Sequence, residues 1–159
     1  MNGDEEDLSE LYGAPEAPTF VKPHEMDAAG AVLRNPDFQV INPGRAPNLS
    51  GVDRFGGPKR WIWAIDQEGN LVIGSEEPVG GIIPATGYQP RLGHPTLTNR
   101  QPARIAGELR QNANGTWYIN NRSGRYSDHP DRTAGKLARV NQLFRNAGLK
   151  MSDPRYSRT

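Results

Sequence analysis

The stretch Lys59–Ser75, KRWIWAIDQEGNLVIGS, restricts the folding of this chain more than any other. Trp61, Trp63 and Ile65 recur at every second position and Ile62 and Ala64 fall between them, so an extended segment here carries apolar groups on both faces. A strand of that kind needs cover above and below, and belongs in the middle of a sheet. Asp66 to Asn70 supplies a turn and Leu71 to Ile73 a returning strand. The unit is predicted as a hairpin whose Trp rings enter the core rather than stack on bases.

A second hairpin is predicted within Gly93–Tyr126, where GHPTL precedes the strand RIAGELR, the turn NANG, the strand TWYINN and the segment SGRYS. Period-two alternation puts Ile105, Gly107 and Leu109 on one face and Arg104, Ala106, Glu108 and Arg110 on the other. Two readings of that polar face stand side by side. Open to water, it is a set of ion pairs worth a fraction of a kcal/mol. Lining a cleft, it is a phosphate clamp around a general base held ionised by its neighbours. His94, Thr96, Arg122, Arg125 and Tyr126 flank the same hairpin. Guanidinium forks suit phosphate and aromatic faces suit bases, so an anionic ligand such as NAD or RNA is the expected partner.

The rest of the chain is punctuated by turns. With 18 Gly and 14 Pro in 159 residues, short strands and loops are favoured over long helices. A short strand is expected around Phe38 to Ile41, and another at Ile82-Ile83. Leu137, Val140, Phe144 and Ala147 form one apolar stripe at helical spacing. They predict a helix from about Asp131 to Ala147, started by Asp128 or Asp131 with Pro130 and stopped by Gly148. The expected fold is a small, loop-rich α+β domain over residues 36–150, with a short antiparallel sheet and a C-terminal amphipathic helix. Residues 1–35 are expected to be a flexible acidic leader or linker, and residues 151–159 a frayed tail.

Charge divides the chain. Residues 1–30 carry eight acids against Lys22, while residues 91–159 carry thirteen bases against Glu108, Asp128, Asp131 and Asp153. A basic, Arg-rich half concentrates anionic partners, although a solvated charged face reads the same way. The absence of Cys excludes disulfides and thiolate metal sites. No apolar run approaches the roughly 18–20 residues that cross a bilayer, and MNGDEEDLSE is acidic where a signal peptide is basic and then apolar. Neither membrane insertion nor a cleaved leader is expected.

Several motifs fail. There is no phosphate loop ending in Lys-Ser/Thr, no dinucleotide fingerprint and no Gly-x-Ser-x-Gly elbow. His24, His94 and His129 are too scattered to propose a metal site, and zinc deaminase chemistry lacks its Cys ligands. Ser127, His94 and Asp128 can be written as a triad, but no local pattern supports it.

At GHPTL, ARIAGELR, WYINNRSGRY and the helix ending FRNAGL, the chain resembles a C-terminal toxin or effector domain of bacterial polymorphic toxins, with a similar module in plant IQ-motif calmodulin-binding proteins. The matching positions are Asp66 to Ile73, His94 with Thr96, Ala106-Gly107-Glu108, and Ser123-Gly124-Arg125-Tyr126. Pro95 interrupts the second element and Arg125 replaces a His in the last. His94, Thr96 and Tyr126 are further similar to the His-Tyr-acid class of ADP-ribosyltransferases. That likeness implies a His on a ribose of NAD, a Thr supporting the nicotinamide ribose and a Tyr stacked on nicotinamide. The acid of that class has no clean counterpart: Glu108 comes early in chain order, and Asp128 and Asp131 fall where a loop or helix begins.

Three functions compete. The resemblance implies a secreted toxin or effector, delivered into a target cell's cytoplasm without a cleaved signal peptide. It would transfer ADP-ribose from NAD to a macromolecule through His94, Glu108 and Tyr126, with Thr96, Arg104, Arg110, Arg122 and Arg125 binding substrate. The alternative is a metal-independent, barnase-like ribonuclease used in bacterial competition. There Glu108 is the general base, His94 or His129 the general acid, and the arginines hold phosphate. The third is a non-catalytic binding module. A monomer is expected, and a toxin reading implies a cognate immunity protein.

Overall fold

A computed structural model describes residues 3–126 and 129–157 of the chain. Its elements are α1 (Gly3–Tyr12), β1 (Gln39–Val40), β2 (Trp61–Asp66), β3 (Leu71–Ser75), α2 (Pro95–Thr98), β4 (Ala103–Gln111), β5 (Trp117–Ile119) and α3 (Ala134–Ala147). The strands form one antiparallel sheet in the order β1-β3-β2-β4-β5. The α+β fold with a C-terminal helix is as expected, and β2 is the central strand.

The two-faced pattern of β2 decides the layering. Trp61, Trp63 and Ile65 point to the face that receives Leu137, Val140, Phe144 and Ala147 of α3. Each large apolar side chain buried there contributes about 1.5–3 kcal/mol. Ile62 and Ala64 point the other way, where Val72, Ala106, Leu97 of α2 and Tyr126 close a smaller second cluster. The apolar run at 61–65 therefore lies between two layers, each of which removes it from water.

The helix starts at Ala134, three residues later than the expected Asp131. Thr133 is the N-cap, its side chain accepting the Lys136 amide at 3.4 Å. Gly148 ends the helix as expected, in the left-handed conformation at φ 114°. Ile83 forms only an isolated bridge with Tyr88 rather than a strand.

Both ends differ from expectation, because each finds hydrogen-bond partners on the domain. The acidic segment is folded onto it rather than standing off as a flexible leader. Glu16 and Ala103 exchange backbone hydrogen bonds of 2.8 and 2.9 Å. Asn35 donates to the Ser75 carbonyl at 2.8 Å, and Glu25 is completely buried. The expected frayed tail runs parallel to β5: the Trp117 amide reaches Lys150 O at 2.8 Å, and the Arg155 amide reaches Ile119 O at 2.8 Å. Among the described residues no helix is long and apolar enough to cross a membrane.

Candidate active site

The β4–β5 pairing brings the polar side chains of both strands to one face. Arg110 lies opposite Tyr118, while Glu108 and Asn120 lie one step further along. Asn120 is the bracket of the arrangement. Its Nδ2 donates to Glu108 Oε1 at 3.0 Å, and its Oδ1 accepts the amides of Glu108 at 2.9 Å and Arg122 at 3.0 Å. With every bond made inside the protein, Asn120 holds the Glu108 carboxylate in one orientation.

Arg110 holds the other oxygen. Its Nη1 donates to Trp61 O at 2.8 Å, which pins the guanidinium to β2, and its Nη2 reaches Glu108 Oε2 at 2.8 Å and Glu76 Oε1 at 3.3 Å. Two carboxylates from different parts of the chain thus meet on a single nitrogen. Burial raises the Glu76 carboxyl above its ordinary range, and neighbouring Glu108 adds to the effect against the pull of Arg110.

Glu108, Arg110 and Asn120 form part of the lining of a groove of about 480 Å³, whose other walls include Tyr118, Arg122 and Tyr156. Arg155 stacks its guanidinium 3.7 Å from the Tyr118 ring centre. Arg122 is exposed, and its side chain makes no hydrogen bond or ion pair among the described residues. The groove therefore offers an oriented carboxylate and free positive charge to one ligand.

The other sequence-predicted residues lie elsewhere. His94 is buried, with Nε2 at 2.9 Å from the Gly107 carbonyl and Nδ1 at 3.2 Å from Ser123 Oγ. A carbonyl only accepts, so Nε2 carries the proton and Nδ1 accepts from the serine. Burial pushes the imidazole down to about 4, so it is neutral at pH 7. Tyr126 donates to Gln101 O at 3.0 Å and accepts from Thr98 at 2.8 Å; burial pushes its phenol up to about 12. Thr96 donates to Gly93 O at 2.7 Å and accepts from Asn35 at 3.0 Å. Each of these hydroxyls is committed to the fold.

Arg104 leaves the polar face of β4, where the pairing with β2 is irregular. Its guanidinium is buried against Gln67 O, Ser9 Oγ and Gly13 O, anchoring the segment after α1. Arg125 is held by Glu25 and lies 4.9 Å from the Phe20 ring centre. His129 contacts Asp131 at 2.9 Å and Glu16 at 3.3 Å, and does not line the groove. Ser127 and Asp128 lie outside the described residues. Of the predicted set, the structure gathers Glu108, Arg110 and Arg122 in the groove.

Sequence reasoning missed Glu76, Tyr118, Asn120, Arg155 and Tyr156. Alternation along TWYINN already places Tyr118 and Asn120 on one face, and antiparallel pairing with β4 would align them with Glu108 and Arg110. Nothing local marks Glu76, which arrives from a loop after β3. Among the described residues no group of three or more His, Asp or Glu side chains is placed to hold a metal ion. The chain matches no family model, and neither a curated protein nor a solved structure is significantly similar to it.

Proposed function

We propose that the chain is a metal-independent ribonuclease domain of the toxin or effector kind, with its reaction centre at Glu108. The observation that carries this reading is the meeting of Glu108 and Glu76 on Arg110 Nη2 beside a cationic groove. General acid–base cleavage needs one carboxylate ready to accept a proton and another ready to give one. Arg110 and Asn120 orient Glu108 as the base. Glu76, raised by burial, keeps its proton to higher pH and is the acid.

In the reaction Glu108 removes the proton of a ribose 2′-hydroxyl, and the 2′-oxygen attacks the adjacent phosphorus. The bond from phosphorus to the 5′-oxygen breaks, and Glu76 protonates that oxygen. The products are a 2′,3′-cyclic phosphate and a 5′-hydroxyl. Arg110 and Arg122 face the charge that builds on the phosphoryl oxygens. Glu76 takes the acid role given to His94 or His129, because buried His94 commits its one proton to the Gly107 carbonyl and His129 does not line the groove. Such a domain, delivered to a target cell, acts on cytoplasmic RNA and requires an immunity protein in the cell that makes it.

Transfer of ADP-ribose from NAD ranks second, because His94, Thr96 and Tyr126 are buried with their polar atoms bonded within the protein. Incubation of the purified chain with mixed-sequence RNA in EDTA separates the two. The expected result is cyclic-phosphate ends with wild type and at least about a 100-fold slower reaction with Glu108→Gln. Intact RNA, with label moving from NAD to protein in a His94-dependent way, would overturn the ribonuclease reading.

A further inference from the structure

Next to Glu76 the cationic surface continues into a second cavity of about 420 Å³, whose walls include Lys22, Arg60, Glu76, Tyr88, Arg91 and Arg125. Glu76 lines this cavity while its carboxylate touches Arg110 of the groove, so the two spaces adjoin at that ion pair. The cations of the second cavity are of two kinds. Arg125 is bound by Glu25, and Arg91 by Glu76 O and Gln89 Oε1, each at 3.0 Å. Arg60, in contrast, is exposed and makes no hydrogen bond or ion pair among the described residues. Tyr88 is 45% exposed, with the Lys22 ammonium 5.9 Å from its ring centre.

An exposed aromatic ring and an uncommitted guanidinium lining one cavity match what one unpaired nucleotide presents, a flat base and a phosphate. The groove likewise holds a ring and a guanidinium, Arg155 lying 3.7 Å from the Tyr118 ring centre. We infer that the Arg60–Tyr88 cavity is a nucleotide subsite, so that the preferred substrate is a single-stranded RNA whose chain passes over Glu76 from one cavity to the other. A base in a duplex has no free face for Tyr88, so the subsite selects unpaired RNA. The inference rests on the ribonuclease reading for the cleavage step, but the subsite itself is a matter of binding.

The test measures binding and cleavage separately. A fluorescent ten-nucleotide single strand of DNA lacks the attacking 2′-hydroxyl and reports binding alone, by anisotropy. Tyr88→Ala and Arg60→Ala are each expected to raise its Kd about tenfold, the scale of one lost stacking or phosphate contact. With RNA, wild type is expected to prefer a decamer to a dinucleotide in kcat/KM, and either variant to reduce that ratio about tenfold. Thermal melts confirm folding, and Arg60→Glu serves as a second, more disruptive charge change at the same exposed position. Unchanged Kd in all three folded variants overturns the subsite, even if RNA is cleaved. Weakened binding without any RNA cleavage by wild type upholds the subsite and removes the ribonuclease reading.

Discussion

Glu25 and Arg125, 100 positions apart, form a two-pronged ion pair that closes the N-terminal segment onto the loop before α3. The carboxylate of Glu25 also accepts the amides of Lys22 and Gly93, each at 2.8 Å. Burial disfavours its charge, yet the hydrogen bonds and positive charge of Arg125, with those amides, hold the carboxyl below its ordinary range.

Removing the anion while leaving its partners is therefore costly. Glu25→Ala strands a guanidinium that is 11% exposed, and is expected to destabilise the fold by about 3–5 kcal/mol in urea unfolding. A loss below about 1 kcal/mol would mean that solvent readily replaces the carboxylate.

Stability should also fall in mild acid through His94. Its folded value of about 4 lies below the ordinary 6.5, so as pH drops the unfolded chain takes up the proton first. Stability is thus lost as pH falls from about 6.5 towards 4, by on the order of 2 kcal/mol between pH 7 and pH 5. Urea midpoints at the two pH values measure it, and His94→Gln should flatten the difference. Glu25 acts in a lower window, its contribution being lost as pH falls below the ordinary 4.5 through its depressed folded value. An equal slope in wild type and His94→Gln would show that His94 is not the titrating group.

Gly107 is required by contact rather than by dihedral freedom. A Cβ there would collide with the Asn120 carbonyl, pushing β5 away from Glu108 and from the carbonyl that binds His94. Gly107→Ala is expected to cost about 3 kcal/mol, at the upper end for overpacking. Gly124→Ala meets open space and should stay within about 0.5 kcal/mol. Comparable melting temperatures for the two variants would contradict the close approach.

If Glu76 is the acid, kcat/KM falls as pH rises through its raised value, because the proton to be donated is lost. Glu76→Gln should slow cleavage by about 10²–10⁴-fold and remove that descending limb. A variant with the wild-type profile would assign the proton to another group.

Arg122 should contribute by charge. Arg122→Ala is expected to weaken RNA binding and to lower the slope of log K against log salt by about 0.7, the value for one phosphate contact on a single strand. Titrations at several salt concentrations measure it. An unchanged slope would place the phosphate elsewhere.

What the sequence determined by itself was the frame. Apolar residues on both sides of β2 demand two covering layers, the stripe Leu137, Val140, Phe144 and Ala147 supplies one, and Gly148 stops the helix that carries it. These follow from short-range periodicity, which a single chain displays in order. Only the tertiary structure decided which polar residues are used up and which are free. Arg104 and Arg122 are the same residue type flanking one hairpin, yet the first is buried against Gly13 and Gln67 while the second faces solvent in the groove. The acidic segment and the C-terminal tail show the same thing, since their composition gives no sign of the backbone partners waiting at Ala103 and Ile119. Glu76 and Glu108 become a pair only because β2 lies between β3 and β4 and Arg110 reaches across it. The charge state and freedom of a side chain depend on long-range burial and partners, and these exist only once the chain has closed on itself.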